Sequence, residues 1–230
     1  YMFVTMIDKE LLNLFESYLT DKRKALYKKV IADRTHHFTV VLEDVSQPHN
    51  ASAVLRTCDI FGVQDLHTVE NKYINRISKY VAKGSQKWIT SKRYKSDGNN
   101  TQICFDNLRE EGYQIIATSP HNDSCLLQDF DISKKTAFVF GEETEGISDF
   151  VKENADGFLN IPMVGFTESL NISVAAAIIL QDVTTKLRNS DLDWHLSEEE
   201  KERLYFDWLK KSIKNSDVIE EKFYESKLLE

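Results

Sequence analysis

From residue 38 onward, short apolar segments alternate with segments of helical periodicity, and this alternation restricts the possible fold more than any other feature. The strand candidates are residues 38–42, 66–69, 113–118, 136–140 and 158–161. The helix candidates are residues 50–61, 101–111, 147–154 and 169–188. Strands that alternate with helices form mostly parallel sheets covered by helices on both faces. Residues 36–190 are therefore predicted to form an α/β domain, which on this pattern alone would be a doubly wound, Rossmann-like sheet.

The segments on either side of this domain are predicted to be helical extensions, one over residues 1–35 and one over residues 191–230. In both segments, apolar residues recur at the spacing of one helix face. Ser197 precedes Glu200 by three positions, which is the spacing of a capping box at the start of a helix. The chain is thus expected to have three parts, with the sheet in the middle part.

The composition is that of an ordinary globular protein, with 230 residues of which 41% are hydrophobic and 29% charged. No apolar run approaches the roughly 18 residues that would predict a membrane span. Cys58, Cys104 and Cys125 are odd in number and widely spaced, which disfavours a disulfide framework or a zinc site. We therefore expect a cytoplasmic protein with no metal, no membrane contact and three reduced thiols in its core.

The net charge of −8 is unevenly distributed along the chain, which matters for any anionic partner. The first 100 residues hold 16 basic and 11 acidic side chains, whereas the rest of the chain holds 13 and 26. The basic stretch 71–95 contains eight basic residues, four aromatic residues and no acid. This composition suits a surface that follows a phosphate backbone and stacks on bases, and it makes Arg76, Lys83 and Lys87 candidates for RNA binding. On composition alone, a solvated face opposing the acidic half is an equally good interpretation.

The first motif segment, residues 43–57, leaves a predicted strand at its carboxyl end, where parallel sheets bind their ligands. Asn50 is predicted to cap the helix that follows, and Arg56 comes nearly two turns later. Both side chains are therefore expected to face one cleft. For this segment in isolation, a capped helix with an incidental surface arginine is the favoured interpretation.

The second motif segment, residues 141–148, resembles a phosphate-binding P-loop in having two glycines five positions apart, Gly141 and Gly146. The lysine of a P-loop is missing because Ile147 stands in its place, and three glutamates would repel a triphosphate. These features disfavour a phosphate-binding nucleotide hydrolase. A nucleoside ligand that has a positive centre and no phosphate fits the segment better, and S-adenosylmethionine has both properties.

The third motif segment, residues 161–173, combines glycine, proline and polar residues and leads into a run of small apolar residues. Ser169 or Asn171 is predicted to cap the helix that follows, where free backbone N–H groups can receive the polar edge of a ligand. A buried core helix is the alternative interpretation. That alternative does not account for the glycine and polar residues before the helix.

In this order and spacing, three stretches resemble the signature motifs of the SpoU/TrmH family of tRNA and rRNA 2′-O-methyltransferases, within the SPOUT superfamily. They read HNASAVLRTCDIFGV, FGEETEGIS and IPMVGFTESLNISVAAAIIL, and the resemblance covers residues 38–188. The resemblance implies a homodimer that binds S-adenosylmethionine, with a C-terminal trefoil knot in the parallel sheet. The residue pattern alone would not suggest a knot, because knots are rare in proteins.

The resemblance also implies roles for individual residues. The positions that match cofactor-contacting residues are Thr118, Gly141, Ile161 and Leu170, of which Ile161 and Leu170 would supply apolar walls for adenine. The positions that match catalytic or site-shaping residues are Arg56, Asn50, Glu143, Ser169 and Asn171, with Arg56 as the catalytic arginine.

Two mechanisms are open for Arg56. It could lose a proton and accept one from a ribose 2′-hydroxyl, or it could stay charged, grip the adjacent phosphate and orient that hydroxyl for attack. A charged guanidinium has no acceptor and loses its proton only with difficulty, which favours orientation.

The function implied by the resemblance is methylation of an RNA ribose. The helical extensions suit the TrmH branch, which methylates a guanosine ribose in the tRNA D-loop, at position 18. The alternatives are a ribosomal RNA 2′-O-methyltransferase and a non-catalytic, knotted RNA-binding protein, which would be expected to have lost Arg56, Asn50 or the third motif. Glu142 and Glu145 make the second motif segment unusually acidic, so the basic stretch or the N-terminal segment must offset this field beside RNA.

Overall fold

Parallel strands form a single seven-stranded sheet in the computed structural model, which describes residues 7–119 and 124–228. In chain order they are β1 Phe38–Glu43, β2 Asp65–Val69, β3 Thr90–Tyr94, β4 Gln114–Thr118, β5 Cys125–Leu126, β6 Thr136–Phe140 and β7 Gly157–Asn160. Their order across the sheet is β3-β2-β1-β6-β4-β7-β5. The central strands β1 and β6 are buried over their whole length, as expected for parallel strands covered on both faces.

Local sequence accounts for the ends of several helices. The helices of the described residues are α1 Lys9–Ser17, α2 Asp21–Ala32, α3 Pro48–Phe61, α4 Lys79–Ala82, α5 Asn100–Glu110, α6 Asp149–Asn154, α7 Ile172–Arg188, α8 Glu198–Ser212 and α9 Ser216–Lys227. α3 begins at Pro48, whose ring fixes a helical φ, and is followed by Gly62 with a left-handed φ of 77°. The capping box predicted at Ser197 is present at the start of α8.

Alternate residues of the central strands point to opposite faces of the sheet and build two hydrophobic layers. Val40 and Phe138 belong to the layer that also contains buried residues of α3 and α7. Val41 and Val139 belong to the layer that contains buried residues of α5 and α6. The prediction of an α/β domain with helices on both faces of a parallel sheet is confirmed.

The chain divides into two compact units. One unit, Thr35–Trp194, contains the sheet and all three motif segments. The other combines Tyr1–Arg34 with His195–Glu230, of which residues 1–6 and 229–230 lie outside the described residues. Within it, α8 packs against α1, α2 and α9. Both helical extensions therefore contribute to one unit.

Several sequence-based expectations about elements differ from the structure. Asn50 does not cap α3 but is its third residue, because the helix already begins at Pro48. β3 was not predicted, because it lies in the basic stretch and its residues alternate between half-buried and exposed without an apolar run. It pairs with β2 at the edge of the sheet.

The cysteines form no disulfide. Cys58 and Cys104 are buried, whereas Cys125 is exposed, so the expectation of three core thiols is wrong for Cys125, which lies on the edge strand β5. Across residues 7–119 and 124–228, no cluster of three or more His, Cys, Asp or Glu side chains is arranged to hold a metal ion. None of the helices described is both long and apolar enough to span a membrane.

Candidate active site

The motif segments meet at the edge of the sheet that is formed by the carboxyl ends of its strands, because every paired strand runs in the same direction. In β4, Thr118 lies opposite Leu159 of β7, and its neighbour Ala117 lies opposite Val139 of β6. β1 pairs with β6 on its other side. The segments that follow β1, β6 and β7, together with the end of β4, therefore start next to each other.

The Glu143 carboxylate is the polar centre of this edge. It accepts hydrogen bonds from the backbone N–H groups of Ser46 and Gln47, both at 3.2 Å, and from the Ser46 hydroxyl at 3.1 Å. The Asn50 side chain donates a fourth hydrogen bond of 3.0 Å. Glu143 thus caps the start of α3 from another part of the chain, where the positive end of the helix dipole favours an anion.

The protonation state of Glu143 follows from these contacts. Burial acts to raise its pKa, but the hydrogen bonds from Asn50, Gln47 and Ser46 favour the charged form and outweigh burial, so the pKa of Glu143 lies below its usual value. Glu143 is therefore a carboxylate at neutral pH. A carboxylate only accepts hydrogen bonds, which fixes the Asn50 amide with its nitrogen toward Glu143.

The other end of the Asn50 amide reaches the third motif segment. Its Oδ1 accepts a hydrogen bond of 3.0 Å from Asn171 Nδ2. Asn171, one of the two residues predicted to cap α7, is the cap, and its Oδ1 accepts from the N–H of Ser173 at 2.9 Å. A hydrogen-bonded relay, Glu143–Asn50–Asn171, therefore joins the three motif segments, and Asn50 is 3% exposed at its centre.

Gly141 is required by the way the second motif segment closes on itself. The N–H of Glu142 donates to the carbonyl of Gly146 at 2.8 Å, and the N–H of Gly146 donates back at 3.0 Å. A Cβ atom at Gly141 would lie 2.2 Å from the Gly146 carbonyl oxygen and 2.4 Å from the Ile147 nitrogen. These are backbone atoms, so no side chain can move aside to make room.

The other candidate cofactor residues lie around the same edge. Thr118 donates through Oγ1 to the Val139 carbonyl at 3.0 Å, which ties the ends of β4 and β6 together. Ile161 directly follows β7 and packs partly buried against the core. Leu170, later in the third motif segment, is 37% exposed.

The segment that leads from Ile161 to Leu170, residues 162–170, is mostly exposed, and its backbone groups have no partner in the protein's described residues. Val164 and Phe166 in the same segment are fully exposed. Unpaired backbone donors and acceptors next to apolar side chains have the chemistry needed to bind a purine by its edge and faces.

Arg56 and Ser169 stand apart from the relay. Arg56 is exposed on α3 and has no hydrogen-bonding or acidic partner among the residues described. Six residues separate it from Asn50, so at roughly 100° per residue the two side chains point about 120° apart around the helix. On this spacing Asn50 and Arg56 lie on different faces of α3, and a shared cleft for the two side chains stays a prediction. Ser169 is likewise exposed and bonds to none of the described residues.

The basic stretch 71–95 is divided into paired and unpaired charges. Three of its residues bond to acids: Lys72 to Glu145 at 2.7 Å, Lys92 to Glu111 at 2.7 Å and Arg93 to Glu70 at 2.6 Å. Arg76, Lys83 and Lys87 are exposed, and none has an acidic partner in the described residues. Lys72 supplies part of the positive charge expected to offset the acidic second motif segment.

Glu43 and Asp44 lie next to the second motif segment, although the sequence analysis did not single them out. The buried Glu43 accepts from the hydroxyls of Thr101 at 2.6 Å and Ser148 at 2.8 Å. Asp44 accepts from three consecutive backbone N–H groups, starting at Asn71. Both acids line a cleft of about 330 Å³ next to the second motif segment. The available signal was a pair of consecutive acids at the carboxyl end of a buried strand.

Comparison with known proteins places this chain in a family. Residues 37–181 match the model of the SpoU rRNA methylase family. The tRNA (guanosine(18)-2′-O)-methyltransferase of Borreliella burgdorferi is 39% identical over 91% of this chain and 94% of that protein. The enzyme of the same name from Escherichia coli is 32% identical over 80% of this chain and 81% of that protein.

Solved structures of SpoU and TrmH methyltransferases superpose on this chain. The TrmH/SpoU tRNA modifying enzyme of A. aeolicus superposes with a TM-score of 0.75 at 30% identity, covering 85% of this chain and 98% of that one. The SpoU methyltransferase AviRb from Streptomyces viridochromogenes, solved in complex with the cofactor AdoMet, superposes with a TM-score of 0.57 at 25% identity. That match covers 70% of this chain and 62% of the other. On its sequence and its fold, this chain belongs to the SpoU rRNA methylase family.

Proposed function

We propose that this protein transfers the methyl group of S-adenosylmethionine to a ribose 2′-hydroxyl of tRNA, at the guanosine in position 18 of the D-loop. The observation that carries the proposal is the relay Glu143–Asn50–Asn171, which joins the three motif segments at the ligand-binding edge of the sheet. The relatives that match over most of the chain are named for this reaction. In this proposal residues 36–190 form the catalytic domain, and the protein acts in the cytoplasm on tRNA.

The residues at the sheet edge fit S-adenosylmethionine, which supplies an activated methyl group on a positively charged sulfur. Ile161 and Leu170 offer apolar surface to adenine, and the unpaired backbone groups of residues 162–170 offer donors and acceptors to its edge. The Glu143 carboxylate gives the site a negative field without direct pairing, because four donors already surround it. Strong pairing would stabilise the ground state more than the transition state.

Arg56 is assigned the orienting role. Its exposed guanidinium has no partner in the described residues, so it is available to form charge-assisted hydrogen bonds with a phosphate next to the target ribose. Holding that phosphate fixes the 2′-hydroxyl for in-line attack. A charged guanidinium cannot accept the hydroxyl proton, so in this assignment Arg56 contributes geometry.

A homodimer and a trefoil knot complete the proposal. Family membership supports both, and apolar side chains exposed on α7 and α3 support a second copy as partner. These side chains are Val174, Ile178 and Ile60, which are 46%, 38% and 64% exposed. Because Arg56 points away from the relay of its own chain, a dimer would let it reach the relay of the other copy.

The function is tested by incubating the protein with labelled S-adenosylmethionine and either tRNA or ribosomal RNA transcripts. We expect label in tRNA only, and we expect Arg56→Ala to abolish transfer while calorimetry shows nearly unchanged cofactor affinity. Label in ribosomal RNA alone would move the assignment to the other substrate of this enzyme class. No transfer to either RNA would reject the enzymatic function.

The dimeric arrangement is tested by mixing two inactive variants, Arg56→Ala and Asn171→Ala, under conditions that exchange subunits. Random exchange of the two variants makes half of the dimers mixed. If Arg56 serves the relay of the other copy, each mixed dimer holds one intact site. Activity should then return to about a quarter of that of the unaltered protein. No recovery in dimers shown to be mixed would place Arg56 in the site of its own chain.

A further inference from the structure

We propose that Tyr80 is a stacking platform for an unpaired base of the RNA substrate and that its helix holds it beside Arg56. The inference rests on the proposed function, because it requires an RNA substrate. Tyr80 lies in α4, and 80% of its surface is exposed. Such exposure contributes little to folding, whereas an aromatic ring offers every base a face for stacking.

The ring of Tyr80 already has a cation on one side. Lys83 lies one turn further along, and its Nζ is 4.2 Å from the ring centroid. Lys83 adopts a left-handed φ of 51°, which is uncommon for a residue with a side chain. One ring face therefore holds an ammonium group, and the other is left open for a base, an arrangement that combines stacking with positive charge.

Several unpaired positive charges of the basic stretch lie within seven positions of Tyr80 in the sequence, and Lys95, also exposed, lies at the far end of the stretch. Arg76, Lys79 and Lys87 are exposed, and each has no acid within ion-pairing distance in the residues described. The members of the stretch that are bonded to acids lie elsewhere in it, at Lys72, Lys92 and Arg93. Phosphates on both sides of a stacked base would thus meet lysine and arginine side chains.

Two side-chain hydrogen bonds hold this segment against α3, which carries Arg56. The N–H of Ser78 donates to Ser52 Oγ, and Ser85 Oγ donates to Asp59 Oδ2, both at 2.7 Å. Ser52 is four residues before Arg56 and Asp59 is three residues after it, so all three lie on one side of the helix. The platform is therefore anchored on both sides of Arg56. A nucleotide near the reacting ribose could stack on Tyr80 while Arg56 holds a phosphate.

The first test compares tRNA binding by Tyr80→Ala and Tyr80→Phe, with Tyr224→Ala as a control for loss of an exposed tyrosine remote in sequence, in α9. Stacking of one base is worth ~1–3 kcal/mol, so Tyr80→Ala should weaken tRNA binding about 5- to 150-fold. Tyr80→Phe and Tyr224→Ala should bind like the unaltered protein. The salt dependence of binding should not change in Tyr80→Ala, because the ring neutralises no phosphate.

The second test detects the stacking itself. Fluorescence of 2-aminopurine, placed at single unpaired positions of a tRNA transcript, should be quenched at one position by the unaltered protein and by Tyr80→Phe. Tyr80→Ala should leave that position unquenched. If Tyr80→Ala bound tRNA and quenched 2-aminopurine as the unaltered protein does, and still methylated tRNA, the stacking platform would be overturned. The proposed function would stand. Failure of the unaltered protein to bind or methylate RNA would overturn the proposed function together with the platform.

Discussion

The Asn50 amide donates a hydrogen bond of 3.0 Å to the Glu143 carboxylate, across 93 positions of sequence. Because the carboxylate can only accept, this contact also directs the Asn50 oxygen toward Asn171. The relative position of the three motif segments therefore depends on the identity of one buried side chain, and a minimal change at Asn50 tests it.

Asn50→Asp should destabilise the protein and reduce methyl transfer at neutral pH. The substitution replaces the donor to Glu143 with a second carboxylate and leaves a buried charge facing another, which costs about 1–3 kcal/mol or more. The destabilisation should shrink as the pH falls, because the introduced carboxyl group, once protonated, can again donate to Glu143. Urea unfolding at several pH values, with activity at neutral pH, measures both effects.

Asn154→Asp is the matched control for that exchange. Asn154 donates to the Phe150 carbonyl at 2.8 Å within α6 and takes no part in the relay. If Asn50→Asp were as stable and as active as Asn154→Asp, the relay would not hold the motif segments.

Gly141→Ala should disrupt the second motif segment, because the added Cβ would lie 2.2 Å from the Gly146 carbonyl oxygen. The neighbouring backbone has to shift, so we expect cofactor affinity to fall at least tenfold and the melting temperature to drop by several degrees. Gly157→Ala in β7 is the control, because a Cβ there would meet only the end of the Ile116 side chain, at 3.2 Å. Equal cofactor affinity in the two variants, measured by calorimetry, would argue against this packing constraint.

Acid should destabilise the protein partly through His67. Burial lowers the pKa of His67 from 6.5 to about 4, and its ring stacks on Tyr94. In the unfolded chain His67 therefore takes up a proton near pH 6.5, whereas in the folded protein it stays neutral until about pH 4. The contribution of neutral His67 to the free energy of unfolding is complete above pH 6.5. It falls by up to roughly 3 kcal/mol as the pH decreases from 6.5 to about 4.

The histidine contribution is measured by comparing unfolding free energies at pH 7 and pH 4.5. His67→Phe keeps a ring against Tyr94 but cannot take up a proton, so its stability should fall less between the two values than that of the unaltered protein. His49→Gln, a change at an exposed histidine, should behave like the unaltered protein. The same decrease in His67→Phe as in the unaltered protein would rule out this source of acid sensitivity.

The paired and unpaired lysines of the basic stretch should differ in their effect on RNA binding. Replacing Lys83 and Lys87 with alanine should flatten the dependence of log affinity on log salt by about 0.7–0.9 for each phosphate that is no longer neutralised. Lys92→Ala, which removes a lysine bonded to Glu111 at 2.7 Å, should change the slope less. An unchanged slope in the double variant would leave the stretch as a solvated face.

The sheet could be predicted because β1 and β6 are buried on both faces and stand out as continuous apolar runs. β3 could not, since this edge strand of polar and charged residues has the same composition as a solvated surface. The two-residue strand β5 is too short to leave a periodic pattern.

At the site, the identity of the motif residues was accessible from the sequence, but their contacts were not. Asn50 fits the pattern of a helix cap, yet Pro48 starts α3 earlier and frees the Asn50 side chain for Glu143. The relay joins residues 93 and 121 positions apart, and such pairings depend on strand order, which no local pattern encodes.

The most direct test of the proposed function is to map the methyl group by mass spectrometry of ribonuclease fragments after incubation with a tRNA transcript and S-adenosylmethionine. We expect one methyl group on the ribose of the guanosine at position 18 and none on a transcript that carries 2′-deoxyguanosine there. A methyl group on a base, or unchanged methylation of the deoxy transcript, would contradict ribose 2′-O-methylation at this position.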